Sequence, residues 1–242
     1  MKYTSVASIL SFEPFSVDTG DASHNLGEQV VLADGRNFRY GKANSTSSIG
    51  KMQLAPAPIA NHANTSVTAT ALGATTLTVT PGATGGNANI YAEGYAVINA
   101  GPNLGATYQI KGHAAITSST AFDVVLFDPI RGTALTTSSK VSLVHNPYNL
   151  FVQGTTSNIR GAGVPLATGA ASNFMWLQTR GVASVLCDTA TTLGATQIAG
   201  AVAGSIKDQT DNLGASSEVV LAKATIMAGV DTEYRPVYLT ID

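Results

Sequence analysis

The chain carries few groups able to do chemistry, and their spacing limits what they can do. Its close acid pairs are Asp18 with Asp21, Asp208 with Asp211, and Asp231 with Glu233. All fall in turn-like stretches and lack the further oxygen ligands that calcium takes, so they read as solvated loop acids. No two of the four histidines stand at metal-ligand spacing, and His24 and His62 read as solvated members of polar loops. Cys187 is the only cysteine. It excludes an internal disulfide and a multi-cysteine zinc site, and beside Leu186 it reads as a small buried hydrophobe. Gly161-Ala162-Gly163 runs into Pro165 and reads as a loop, not as a phosphate-binding helix start. Asp128 and Arg131 suit a local solvated pair. A Gly-x-Ser-x-Gly elbow and a Walker loop are absent. No catalytic residue, metal site or cofactor is expected, and the chain reads as a non-enzyme.

The elements that would have to position a site are β-strands. The 242 residues suit one large or two small domains, long enough to bury a core without disulfides or metals. Charged residues make up 12%, hydrophobic residues 44% and aromatics 7%. Much of the apolar content is alanine. That describes a folded chain with an uncharged Thr/Ser/Asn/Gly surface, suited to life inside an assembly. Net charge is −2 and no Lys/Arg run occurs, so nucleic acid is not an expected partner. No stretch reaches the ~20 apolar residues that span a bilayer, so no membrane is expected either. Met1 to Leu10 does not read as a secretion signal. Synthesis in a cytoplasm is expected, followed by residence there or export in a particle.

Residues 1–25 read either as a first strand with its loop or as an arm packing on a neighbouring subunit; we divide them off as an N-terminal arm. Residues 26–62 form a hairpin and an extended, Pro-containing strap. Asp34-Gly35 between Gln29–Leu32 and Arg36–Tyr40 predicts a two-residue type I′ turn. That turn sets Val31 opposite Phe38 and Gln29 opposite Tyr40. Residues 63–145 and 146–242 form two β lobes, each built of short alternating strands separated by turn residues at roughly ten-residue intervals, the pattern of a sandwich or barrel. The fold class is all-β.

The densest apolar stretch is Phe174-Met175-Trp176-Leu177-Gln178-Thr179-Arg180-Gly181, running into Val182 to Leu186 with the only tryptophan. It predicts strand, glycine break, strand. Phe174, Trp176, Leu177, Val185 and Leu186 are the expected core of the second lobe, Trp176 serving as packing centre in preference to ligand platform. Leu-Gly-Ala-Thr occurs at 72–75, 104–107 and 193–196, with Leu-Gly-Ala-Ser at 213–216. Its contexts after Tyr95–Ile98 and after Phe174–Leu177 suggest two lobes of related plan.

Three phrases carry a family resemblance. They are Leu26-Gly27-Glu28 through Asp34-Gly35-Arg36-Asn37-Phe38-Arg39-Tyr40-Gly41, then Gly50-Lys51-Met52-Gln53-Leu54-Ala55-Pro56-Ala57-Pro58, then Trp176-Leu177-Gln178-Thr179-Arg180-Gly181. The pattern is similar to the capsid decoration (cement) proteins of tailed bacteriophages, over most of residues 20–200. The resemblance implies a homo-oligomer, commonly a homotrimer, on the outer capsid surface of the virion. Its partners are then the major capsid protein and further copies of itself, and it clamps neighbouring capsomers. Tyr3, Phe12 and Phe15 of the arm and Asp34, Gly35, Arg36, Phe38 and Tyr40 of the hairpin are the expected oligomer or capsid contacts. The alternative is a receptor- or glycan-binding module of a head fibre or tail, with Tyr91 and Tyr95 as a stacking platform.

Overall fold

The computed structural model describes residues 12–155, 159–209, 219–224 and 232–242. In chain order the strands are β1 (Gln29–Val31), β2 (Asn37–Ala43), β3 (Gln53–Leu54), β4 (Thr65–Val67), β5 (Thr76–Thr80) and β6 (Tyr95–Ala100). Next come β7 (Thr107–His113), β8 (Phe122–Leu126), β9 (Lys140–Val144), β10 (Asn149–Phe151) and β11 (Gly161–Pro165). The last are β12 (Phe174–Leu186), β13 (Thr196–Ala199), β14 (Ile206–Asp208), β15 (Ala222–Ala224) and β16 (Tyr234–Thr240). The protein is all-β, and it folds as two compact units.

Among the described residues, one unit comprises residues 57–146. It is a closed antiparallel barrel in the order β4-β5-β8-β7-β6-β9. Its strands alternate as a closed, filled barrel requires. Leu77 and Val79 on β5, Phe122, Val124 and Leu126 on β8, and Val141 and Leu143 on β9 are buried. Closure leaves no exposed strand edge. Pro56 precedes this segment and Pro147 follows it, so the barrel is a cassette inserted into the chain of the other unit. Residues 57–146 expressed alone are therefore expected to give a cooperatively folded all-β domain, read as a sigmoidal thermal transition by circular dichroism. A fragment without such a transition would contradict the cassette.

The other unit joins residues 12–56 to residues 147–242. Its ten-stranded sheet runs β1-β2-β12-β16-β15-β13-β14, with β10 beside β2 and β11 paired to β12 and β3. The hairpin is thus no separate projection. Its second strand lies against β12, with Trp176 opposite Tyr40 and Gln178 opposite Phe38. Gly161-Ala162-Gly163 belongs to a buried strand and not to a loop. Gln53-Leu54, expected as connecting chain, pairs with that strand.

β12 corrects the expected break. It is one strand of 13 residues. Residues 174–180 pair with β2, and residues 180–186 pair with β16. The handover falls at Arg180, just before Gly181, whose φ is 88°. Buried Gln178 carries the strand through the bulge, its Nε2 donating to the carbonyls of Arg180 (3.0 Å) and Val182 (2.9 Å). Successive residues serve opposite faces. Phe174 and Trp176 pack with Val30, Phe38 and Tyr40. Met175 and Leu177 pack with Ala43, Tyr148 and Phe151. Val185 joins Val164, Ile206, Val237 and Leu239. Phe174, Trp176, Leu177, Val185 and Leu186 are all buried. Cys187 is buried as well, and burial pushes its thiol up to about 11, which keeps it protonated and unreactive.

The hairpin turn also differs from expectation. Leu32 N–H donates to the Arg36 carbonyl and Gly35 N–H to the Leu32 carbonyl. Gly35 is the only loop residue with positive φ (84°), whereas a type I′ turn requires two. The loop is the three residues Ala33-Asp34-Gly35, closed by a turn and a glycine bulge. Register shifts by one, so that Val30 faces Phe38 and Gln29 faces Arg39. That shift sends Val30, Phe38 and Tyr40 together into the core.

Leu-Gly-Ala-Thr proves to be a turn, not a lobe signature. In the three described copies the Ala N–H donates to the carbonyl three residues back, on Ala71, Asn103 and Thr192. The glycine takes φ of 84°, 85° and 76°. Positive φ at the third turn position is the type II pattern, which selects glycine there. The threonine then leads into β5, β7 or β13. The fourth copy lies outside the described residues. Around these turns the units differ. β6 pairs with β7 across its turn, whereas β12 and β13 are not paired. The expected related plan of the two lobes therefore reduces to a shared strand-entry turn.

Candidate functional site

In the unit built of residues 12–56 and 147–242, the aromatic side of the hairpin closes onto the chain preceding it. The Asp18 backbone bridges Phe174 at the start of β12, with bonds of 2.9 Å in both directions. That bridge brings residues 12–24 over Trp176. A cleft of about 280 Å³ opens there, lined by Glu13, Ser16, Asp18, Ser23, His24, Tyr40, Phe174, Met175 and Trp176.

The aromatic wall is ordered by edge contacts. Trp176 meets Phe12, His24 and Tyr40 at centroid distances of 5.1, 5.0 and 5.2 Å, each in T-shaped geometry. Tyr40 stacks on Phe174 at 5.9 Å. Asp18 anchors the polar side. Its Oδ2 accepts a short hydrogen bond from the Tyr40 hydroxyl and one of 2.5 Å from Ser23 Oγ. Burial, reinforced by the bond to Asp18, pushes the Tyr40 phenol up to about 12, so it remains a donor at all physiological pH. Glu28 fixes the loop above, accepting from Asn25 N–H at 3.0 Å and meeting His24 Nδ1 at 3.4 Å. The two carboxylates of the cleft, Glu13 and Asp18, face no Lys or Arg among its lining residues. Such a surface suits a small group carrying hydroxyls or positive charge and disfavours an anion. Its volume is near the lower end of the ~300–1,000 Å³ typical of small-molecule sites.

The expected contact residues separate. Tyr3 lies outside the described residues. Phe12 is half-buried against Trp176 and Phe38, so this part of the expected arm is tied down by its own chain. Phe15 is 73% exposed. Asp34 and Arg36 pair at 2.7 Å on the hairpin tip. There the Arg36 backbone N–H, and then its side chain, hold the Asp34 carboxyl below the usual carboxylate range. Phe38 and Tyr40 are interior residues, 0% and 1% exposed, which removes them from any contact surface; their face of β2 packs with Val30, Phe174 and Trp176. Tyr91 is likewise wholly buried and cannot be a stacking platform, while Tyr95 is 42% exposed.

Sequence reasoning missed His24 and Asp18 as partners of this aromatic wall and read both as solvated. The available signal was the spacing of His24 and Glu28, four residues apart. His62, read as solvated, is 0% exposed. Among the described residues, no group of three or more His, Cys, Asp or Glu side chains is arranged to hold a metal ion. The chain matches no protein-family model, and no curated protein or solved structure gives a match.

Proposed function

We propose that this protein is a virion structural protein that decorates and stabilises a bacteriophage capsid, binding between capsomers as an oligomer. The observation that carries the reading is an uncovered face of the sheet. Val182 on β12 stands opposite Tyr238 on β16, and they are 56% and 39% exposed. Tyr234, on the same face of β16, is 47% exposed, and Pro236 lies between the two tyrosines. Ile49, beside the Gly50 that the Tyr234 ring covers, is 53% exposed. Exposed apolar side chains rimmed by polar ones, here Arg180, Ser184, Lys223 and Thr240, suit an interaction site. Cyclic oligomerisation would bury it, and the linked copies would bind a shell cooperatively.

Replacing Val182 and Tyr238 together by lysine is expected to convert the oligomer to monomer in analytical ultracentrifugation and to leave the thermal transition in place, because both side chains point to solvent. A wild-type protein that sediments as a monomer at all concentrations would contradict the oligomeric reading.

A second reading, a receptor- or glycan-binding module, is favoured by the acidic and aromatic cleft around Asp18 and Trp176. Saturation-transfer NMR with neutral hexoses tests it: transfer lost in Asp18→Asn supports the module, and no transfer to wild-type protein counts against it.

A further inference from the structure

Three of the four histidines lie in the 57–146 barrel, and the fold gathers all three around one phenol. Tyr91 sits in the turn before β6, His113 ends β7, and His145 follows β9. The antiparallel pairing places these three positions at one end of the barrel, opposite the end that carries the Leu-Gly-Ala-Thr turns of β5 and β7. His62, on the short 3₁₀ turn Ala60–His62, completes the group. Centroid distances from the Tyr91 ring are 5.6 Å to His62, 5.7 Å to His113 and 4.4 Å to His145. Tyr91 and His62 are 0% exposed and His113 is 6% exposed.

The hydrogen bonds of His113 require a neutral ring. A backbone N–H can only donate, so the 3.1 Å bond from Tyr91 N–H makes His113 Nε2 an acceptor. The proton of that ring is then on Nδ1, donated to the Ala114 carbonyl at 2.7 Å. His145 Nδ1–H donates to the Ile90 carbonyl at 3.1 Å, while its Nε2 is buried without a partner among the described residues. His62 Nε2–H donates to the Thr84 carbonyl at 2.8 Å, and its Nδ1 accepts from the Tyr91 hydroxyl at 2.6 Å. A proton added to His113 Nε2 would confront the Tyr91 N–H. One added to His145 Nε2 would be buried with no acceptor among the described residues, which is costly.

Among the described residues, the titratable groups that act on His113 and His145 are the other imidazoles of the cluster. On the neighbouring strands, Lys111 and Asp123 point outward. Glu93, in the same turn as Tyr91, is engaged through its backbone with Ile110 and Asn146. The ring of Phe122 lies 5.6 Å from His113.

We propose that this cluster makes the 57–146 barrel acid-sensitive: protonation of His113 and His145 releases Tyr91 and opens this end of the barrel. Desolvation lowers both imidazoles below their ordinary value, in line with the geometry. The sign follows from linkage. Above about pH 6.5 the imidazoles are neutral in both folded and unfolded chains, and no stability is lost. Below it the unfolded chain binds protons that the barrel excludes. Stability then falls with pH until the folded rings themselves protonate.

The test is an NMR titration of the full chain from pH 8 to 4.5, following the histidine ring resonances and amide exchange together. His113 and His145 should stay neutral below pH 6.5. Protection at Tyr91, Gly94 and Ile110 should fall by up to about tenfold per pH unit for each excluded proton, while amides of β12 and β16 hold. His145→Asn, which keeps a donor for the Ile90 carbonyl and cannot titrate, should make the pH dependence shallower by up to about tenfold per unit. If that variant fails to fold, the wild-type titration decides alone. Rings that titrate near pH 6.5 with barrel protection unchanged, or β12 and barrel amides lost at one common midpoint, would overturn the proposal.

Discussion

Trp176→Ala is expected to destabilise the unit formed by residues 12–56 and 147–242 by ~3–5 kcal/mol, the range for removing a fully buried aromatic side chain. The ring is 3% exposed and touches the rings of Phe12, His24 and Tyr40. Each such edge contact adds about 0.5–1.5 kcal/mol beyond the area it buries. The site is poorly placed to collapse, because Tyr40 is tied to Asp18 and Phe174 is held by its backbone bridge to Asp18. Against the ~5–15 kcal/mol of a typical native state, the loss leaves this unit marginal. Urea titration followed by far-ultraviolet circular dichroism measures it, with Trp176→Phe as the milder control. A cost below about 1 kcal/mol would mean that the ring lines the cleft without supporting the core.

The second large effect is expected at Tyr91. Tyr91→Ala removes a wholly buried ring from the centre of three imidazoles and strips His62 Nδ1 of its donor. A cost of ~3–5 kcal/mol is expected from the cavity, with about 1–3 kcal/mol more if buried His62 is left unsatisfied. The damage should be confined to the 57–146 barrel. Trp176, the only tryptophan, lies in the other unit and reports on it alone. Tyr91→Ala should therefore abolish amide protection in β5 to β9 and leave the tryptophan fluorescence transition in place. Loss of both together would show that the two units do not fold independently.

Period-two alternation made the all-β class legible, because strands with one buried face write it directly into sequence, as in Val237-Tyr238-Leu239-Thr240 of β16 and Phe122 to Leu126 of β8. The apolar density of β12 likewise marked Phe174, Trp176, Leu177, Val185 and Leu186 as interior, and all five are buried. What failed was set by pairing at a distance. Asp34-Gly35 fits both a two-residue and a three-residue loop, and only the burial of Val30 with Phe38 selects the longer one. Gly181 looked like a break because glycine interrupts isolated strands; two different partners, β2 and β16, hold the strand continuous across it. His62, His113 and His145 stand 51 and 32 positions apart in the chain, and only barrel closure assembles them around Tyr91. The cleft was hidden for the same reason. Asp18 and Tyr40 meet because the chain before the hairpin bridges to β12, a contact across 156 positions.

The proposal that this chain covers a capsid as an oligomer is tested most directly by cryo-microscopy of phage particles containing it. The expected result is many copies distributed over the shell at a repeated symmetry position, with Val182, Tyr234 and Tyr238 buried against a neighbouring subunit. A few copies confined to a vertex or tail, with that sheet face open to solvent, would contradict it.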